Sequence, residues 1–209
     1  MRLLILGATG GTGRVIVRLA STRQHEVTIL ARNAEKARGF GDARIVVGDA
    51  LDPAAVARAL DGAEAVISAL GTPVSPFREV TLLSAATRIL IAEMQRLGVG
   101  RLIAITGMGA GETAGHGGFL FDRLFKPLML RKVYADKDRQ EAIIRGSGLD
   151  WTIVRPAVLN DKPARGSVRA LTDLTGFRGG SISREDVAAF ILDELASGRW
   201  RNKAPLIAW

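Results

Sequence analysis

The strongest constraint in this chain is a turn of spaced glycines near its start. Arg2–Leu6 is a compact, mostly apolar run, and Gly7-Ala8-Thr9-Gly10-Gly11-Thr12-Gly13 follows at once. A short apolar run ended by glycine reads as a buried strand. Thr12–Ser21 then carries Val15, Ile16, Leu19 and Ala20 at helical spacing, and Glu26–Ala31 reads as a second strand. The G-x-x-G-x-x-G spacing therefore lies on a strand-to-helix turn. There Gly7 permits the tight turn, Gly10 admits a ligand to the backbone, and Gly13 lets the helix pack closely on the strand.

The alternation continues along the chain. Strands are expected at Arg44–Val47, Ala65–Leu70, Arg101–Thr106 and Trp151–Arg155, with a short edge strand at Pro205–Trp209. Helices are expected from Pro53, over Phe77–Leu97, over Val133–Arg145, and after Ser183-Arg184-Glu185-Asp186. That last tetrapeptide has the Ser-x-x-acid capping signature. Strands separated by helices need crossover connections, so they form a parallel sheet covered on both faces. The expectation is a single α/β domain over residues 1–209, doubly wound and Rossmann-like, with a small C-terminal extension on the substrate side.

Composition excludes several classes. The 209 residues are 47% hydrophobic and 24% charged, ordinary for a globular chain. The absence of cysteine removes a disulfide scaffold, a thiolate nucleophile and a thiolate-bound metal. No His or carboxylate cluster has metal spacing, so no metal is expected. No apolar run is long enough to cross a bilayer, and the amino terminus enters a strand without a signal pattern, which makes a cytoplasmic location the expectation. The net charge of +8 suits anionic partners. It lacks the basic stripe with interleaved aromatics that nucleic-acid binding would require. No Gly-Lys-Ser/Thr follows the glycines, so the turn is not a phosphate-transfer loop.

A helix that starts on such a turn offers free N–H groups and a positive dipole end to a diphosphate, so an adenine dinucleotide is the expected ligand. The second strand then selects the cofactor. An NAD site needs an acidic side chain near its end, but here the strand ends Leu30-Ala31-Arg32-Asn33. Arg32 can fork onto a 2′-phosphate, with Arg14 and Lys36 as neighbours, so NADP(H) is expected. Gly48-Asp49-Ala50, after the third strand, is placed to meet the adenine.

These residues resemble the atypical short-chain dehydrogenase/reductases, in particular the NmrA-like NAD(P)-binding proteins and the flavin reductase/biliverdin reductase type. The resemblance spans nearly the whole chain. It rests on Gly7–Gly13, Ala31-Arg32-Asn33, Gly48-Asp49, Val66–Gly71, Arg101–Thr106, Lys137 with Glu141, Gly148–Pro156 and Ser183–Ala188. It implies that Gly7, Thr9, Gly10, Gly11, Thr12 and Gly13 hold the cofactor together with Arg32, Asn33, Asp49 and Ala50. It further implies that Ala69-Leu70-Gly71 lines the cofactor, that Lys137 reaches the nicotinamide ribose, that Arg155-Pro156-Ala157-Val158 flanks the nicotinamide, and that Thr106 also binds the cofactor.

The departures from that pattern bear on chemistry. Relatives in the wider superfamily use Ser, Tyr and Lys, with Tyr four residues before Lys, and the lysine lowers the tyrosine pKa. Here Tyr134, the only tyrosine, lies three residues before Lys137, and the serine position falls on Gly107 beside Thr106. Thr106, Tyr134 and Lys137 are the catalytic candidates, with Tyr134 not expected to donate the proton. Flavins, quinones and similar conjugated acceptors can take protons from water. The expected activity is therefore NADPH-dependent hydride transfer to such a small-molecule acceptor. The alternative is an NmrA-like redox sensor that binds NADP(H) without turnover. Phe119–Leu130 reads either as a lid over the acceptor or as a core or dimer-interface helix. His116 reads as a general acid or as a solvated loop residue.

Overall fold

A computed structural model describes residues 1–73, 79–116, 123, 129–177 and 179–209. Its main sheet has eight strands in the order β3-β2-β1-β4-β5-β6-β10-β8. These are β1 (Arg2–Leu6), β2 (Glu26–Ala31), β3 (Arg44–Val47), β4 (Ala65–Ser68), β5 (Arg101–Ile105), β6 (Asp150–Pro156), β8 (Arg169–Leu171) and β10 (Leu206–Ala208). All neighbours are parallel except β10 with β8. A second sheet pairs β7 (Val158–Asn160) with β9 (Ser181–Ser183), also in parallel. The chain therefore has the α/β Rossmann-like fold. Because β1 lies between β2 and β4, strand order reverses beside it, and a crevice opens where successive crossovers turn opposite ways.

Alternation within the strands builds two cores. Leu3 and Ile5 face α1 (Gly11–Thr22) and α5 (Arg184–Ser197), meeting Ile16, Val17, Val187 and Ile191. Leu4 and Leu6 face the other way, toward Val56 and Leu60 of α2 (Pro53–Leu60), Leu90 and Met94 of α3 (Leu82–Leu97), and Ile144 of α4 (Arg131–Arg145). Both faces of β1 are thus dry, which is why its sequence is an unbroken apolar run.

The observed boundaries depart from the expected ones for local reasons. β4 ends at Ser68, two residues early: Ala69 makes the last bond to β1, through its N–H to Leu6 (2.9 Å), and its carbonyl then lies over Gly7. β5 ends at Ile105, one residue before Thr106. α3 begins at Leu82, although its apolar pattern starts earlier; Phe77 lies outside the described residues. Its first turn is fixed by a side chain from another helix. Asp136 of α4 accepts from the Leu83 N–H (2.8 Å) and from Ser84 while fully buried. α4 itself starts at Arg131, two residues before the expected Val133.

The C-terminal strand is not an edge. β10 sits between β6 and β8, and β8 closes the sheet. The three-residue strands β7, β8 and β9, all in the C-terminal extension, have no periodicity long enough to be read. Ser183 caps α5 as expected, accepting from the Asp186 N–H at 3.0 Å. The Asp186 carboxylate does not complete the reciprocal box. It receives the N–H groups of Arg165 and Gly166 and the Trp209 indole.

Removing the Asp136 carboxylate leaves the first turn of α3 uncapped and the Ser84 hydroxyl unpartnered inside the protein. Asp136→Ala is expected to lower the unfolding free energy by about 2 kcal/mol. Urea unfolding checks this, with the midpoint falling and the slope unchanged.

Candidate active site

At the carboxyl ends of β1, β2 and β4 lies a crevice of about 420 Å³. Eleven residues expected at the cofactor line it: Gly7, Thr9, Gly10, Gly11, Thr12, Arg32, Asp49, Ala50, Ala69, Leu70 and Gly71. The turn is held by backbone contact alone. Gly7 has φ +76°, and a Cβ on it would lie 2.3 Å from the Ala69 carbonyl oxygen. A Cβ on Gly13 would lie 2.2 Å from the Gly7 carbonyl oxygen, so Gly13 fastens α1 to β1 beneath the crevice. Gly10 precedes α1 in extended conformation and no side chain caps the helix, whereas Asp52 caps α2 and Ser183 caps α5. No acidic residue stands in the first turn of α1. The amide-rich end of α1 is therefore open to an anion.

The neighbours of Arg32 are arranged differently from the expectation. Arg32 is exposed at the crevice rim. Asn33 does not line the crevice; its Oδ1 accepts from the Glu35 N–H (2.7 Å) and turns the loop after β2. Arg14 donates to the Lys36 carbonyl (3.0 Å) and lies over the Phe40 ring, bracing that loop from outside. Asp49 accepts from the Leu51 N–H (2.9 Å), which fixes the turn below the crevice. Leu30, Thr72, Pro73, Leu82 and Arg184 also line the crevice and were not anticipated. For Arg184 the signal was its position directly after a strand and a helix cap.

A second cluster gathers at the end of the adjacent strand β5. The Lys137 ammonium donates to the Thr106 carbonyl (2.6 Å) and lies 4.9 Å from the centre of the Tyr134 ring. A Cβ on Gly107 would fall 3.0 Å from Lys137 Nζ and 3.9 Å from the Tyr134 oxygen. Gly107, Tyr134 and Lys137 thus converge, but the position that carries a serine hydroxyl in the resembling enzymes has no side chain. Tyr134 gives its proton to the Met108 carbonyl (2.8 Å). Burial pushes the Lys137 pKa down to about 8, against the opposing pull of Glu141 and Asp138.

Beneath this cluster runs a buried ionic network. The Thr106 hydroxyl donates to Glu141 (2.7 Å), which also accepts from Arg155 Nε (3.0 Å). Arg155 continues to Glu112, and Arg145 pairs with Glu112 from outside. Burial pulls the Arg155 pKa down, but the two glutamates outweigh it and hold it above its ordinary value. The network ties the loop after β5 to α4 and β6. Pro156, Ala157 and Val158 are fixed through the backbone: the Pro156 carbonyl accepts from Met108, Ala157 donates to Ile207 and Val158 donates to Gly180. Pro156 and Ala157 are buried and Val158 is exposed.

His116 joins two loops. Its Nδ1 lies 3.2 Å from the Phe177 carbonyl, and its own carbonyl accepts from Gly179. Of the expected acceptor segment Phe119–Leu130, only Arg123, Met129 and Leu130 are among the described residues. A larger hollow of about 840 Å³ opens at the opposite, amino-terminal end of the sheet. Two of its arginines are paired within the fold, Arg18 with Glu185 and Arg44 with Asp61. Ligands of doubly wound sheets bind at the other end, so the smaller crevice is the candidate site. Among the described residues no cluster of three metal-ligating side chains occurs, and no helix is long and apolar enough to cross a membrane.

Comparison with known proteins agrees with this geometry. Residues 7–197 match a family profile described as NAD(P)H-binding, and the chain belongs to that family. It is 30% identical to the uncharacterized sugar epimerase YhfK of Bacillus subtilis, over 98% of this chain and 92% of that one. It is 27% identical to the NAD(P)H azoreductase of Xenophilus azovorans, over 74% of this chain and 47% of the azoreductase. Among solved structures, the anaerobillin reductase ChuY of Escherichia coli O157:H7 superposes with a TM-score of 0.84 at 25% identity, covering 100% of this chain and 97% of its own.

Proposed function

We propose that the protein is an NADPH-dependent reductase of a small conjugated acceptor such as a flavin or quinone. The observation that carries this reading is the pairing of an open α1 terminus with a β5 end whose Tyr134 and Thr106 hydroxyls are both engaged within the fold. The backbone of Gly7–Gly13 receives the diphosphate, and Arg32 takes the 2′-phosphate. Asn33 shapes the loop that presents Arg32, and Asp49 with Ala50 borders the adenine. Ala69, Leu70 and Gly71 line the middle of the cofactor. Lys137 holds the nicotinamide ribose, and Thr106, Pro156, Ala157 and Val158 flank the nicotinamide. When bound, the cofactor supplies a hydride.

The chain's own groups offer little proton transfer. The Tyr134 proton points at the Met108 carbonyl and the Thr106 proton at Glu141. Lys137, with a pKa of about 8, is the group of this cluster best matched to neutral pH. Epimerisation or oxidation of a sugar hydroxyl needs a positioned base at that hydroxyl. Reduction of a conjugated ring system needs only electrons from the protein side, since water supplies the proton. The azoreductase and anaerobillin reductase names among the relatives point to the same kind of acceptor.

Anaerobic NADPH oxidation, followed by absorbance against a panel of flavins and quinones, tests the proposal. Acceptor-dependent, stoichiometric consumption is expected. Tight NADPH binding with no turnover of any acceptor would instead favour the sensor reading. Arg32→Asp is expected to weaken NADPH binding about ten- to a hundredfold and NADH binding far less, as titration calorimetry would show. A pH dependence follows from Lys137. An anionic cofactor prefers the ammonium form, which the free protein holds below pH about 8. NADPH affinity is therefore level below that value and falls between pH 8 and 10, whereas Lys137→Met gives a flat profile over the same range.

A further inference from the structure

Arg184 sits against the glycine turn from across the crevice, and neither the sequence pattern nor the family resemblance gave it a role there. It is the first residue of α5 and lines the same crevice as Gly10 and Gly11. A Cβ placed on Gly11 would lie 2.9 Å from Arg184 Nε and 3.3 Å from its Cδ. The guanidinium therefore rests directly over the open end of α1, where a side chain at position 11 would push it aside. Its other edge is held from outside, where Nη1 donates to Asp161 at 2.7 Å. Asp161 is largely exposed and Arg184 only about a quarter so.

The base of this arm is rigid. Ser183 caps α5 just before Arg184, and Asp186, two residues after it, anchors the backbone of Arg165 and Gly166. Helix α5 packs along α1, and the exposed Arg18–Glu185 pair bridges the two next to Arg184. A cation is thus brought to the positive end of a helix dipole, an arrangement that repels unless an anion lies between them. A planar donor fork suits two adjacent phosphate groups better than an ammonium would.

We propose that Arg184 is a cofactor-binding residue that clamps the diphosphate of the dinucleotide against the α1 amides, with Asp161 positioning its far edge. This rests on the dinucleotide reading given above and adds to it a residue from the C-terminal third of the chain. The diphosphate is common to NADPH and NADH, so Arg184 acts on both coenzymes alike, whereas Arg32 separates them.

The test is titration calorimetry of the full chain with NADPH and with NADH, for the unmodified protein, Arg184→Gln and Arg184→Lys. Phosphorus NMR of bound NADP accompanies it. Arg184→Gln is expected to weaken both coenzymes about tenfold, leaving their affinity ratio unchanged, and Arg184→Lys to lose less. The diphosphate resonances should move in the glutamine variant while the 2′-phosphate resonance stays. Thermal unfolding without ligand should be nearly unaltered, because Asp161, the partner of Arg184, is largely exposed. Unchanged affinities, a loss confined to one coenzyme, or unmoved diphosphate resonances would overturn the assignment. Failure of the unmodified protein to bind either coenzyme would instead bring down the dinucleotide reading beneath it.

Discussion

The architecture depends on three pieces of backbone meeting without side chains between them. Gly13 on α1 touches the Gly7 carbonyl, and Gly7 in turn lies under the Ala69 carbonyl. Any Cβ at positions 7 or 13 would overlap main-chain atoms that cannot swing aside. This contact draws the start of α1 down onto β1 and bends the end of β4 over it. The crevice is the space left above that junction. Its amide lining follows from the same cause, since a turn built of glycines exposes N–H groups and has no side chains to cap them. One steric requirement thus sets both the packing and the binding surface.

Charge is used differently at the two ends of the site. Around the glycine turn the cations are at the rim, Arg32 exposed and Arg184 partly so, available to a ligand. Beneath the β5 end, Arg155 and Glu141 are each 3% exposed and satisfy one another. A buried pair of this kind adds little net stability, because desolvation offsets most of the attraction. Breaking it would be costly, since the remaining ion would be left in the interior without a partner. Its structural effect is to hold the loop after β5 through Glu112 and to occupy the Thr106 hydroxyl. The network shapes this side of the site and takes one of its hydroxyl protons out of use.

The first two-thirds of the fold could be read from sequence because each element there is long enough to show its period. β1 and β2 are apolar runs, and α1, α2 and α4 carry clear stripes. The region from Val158 to Ser183 could not, because its strands have three residues each and are defined by partners distant in sequence. The start of α3 was misplaced for a related reason: its cap, Asp136, comes from a different helix. The position of the glycines, Arg32 and Asp49 at the crevice was legible since their spacing from a strand end determines where they lie. Asn33 and Arg14 carry the right chemistry at the right spacing, yet local turn geometry spends them on the loop after β2. Arg184 was missed because nothing local records that α5 returns beside α1.

Asp136 has a wider reach than stability. It belongs to α4, one residue before Lys137, and it grips the first turn of α3, whose Leu82 walls the crevice. Consecutive residues of one helix therefore hold the two halves of the site, one by its ammonium and the other by its carboxylate. Displacing α4 drags on both. Any substitution in this stretch of α4 therefore bears on the β5 end and on the crevice wall at the same time.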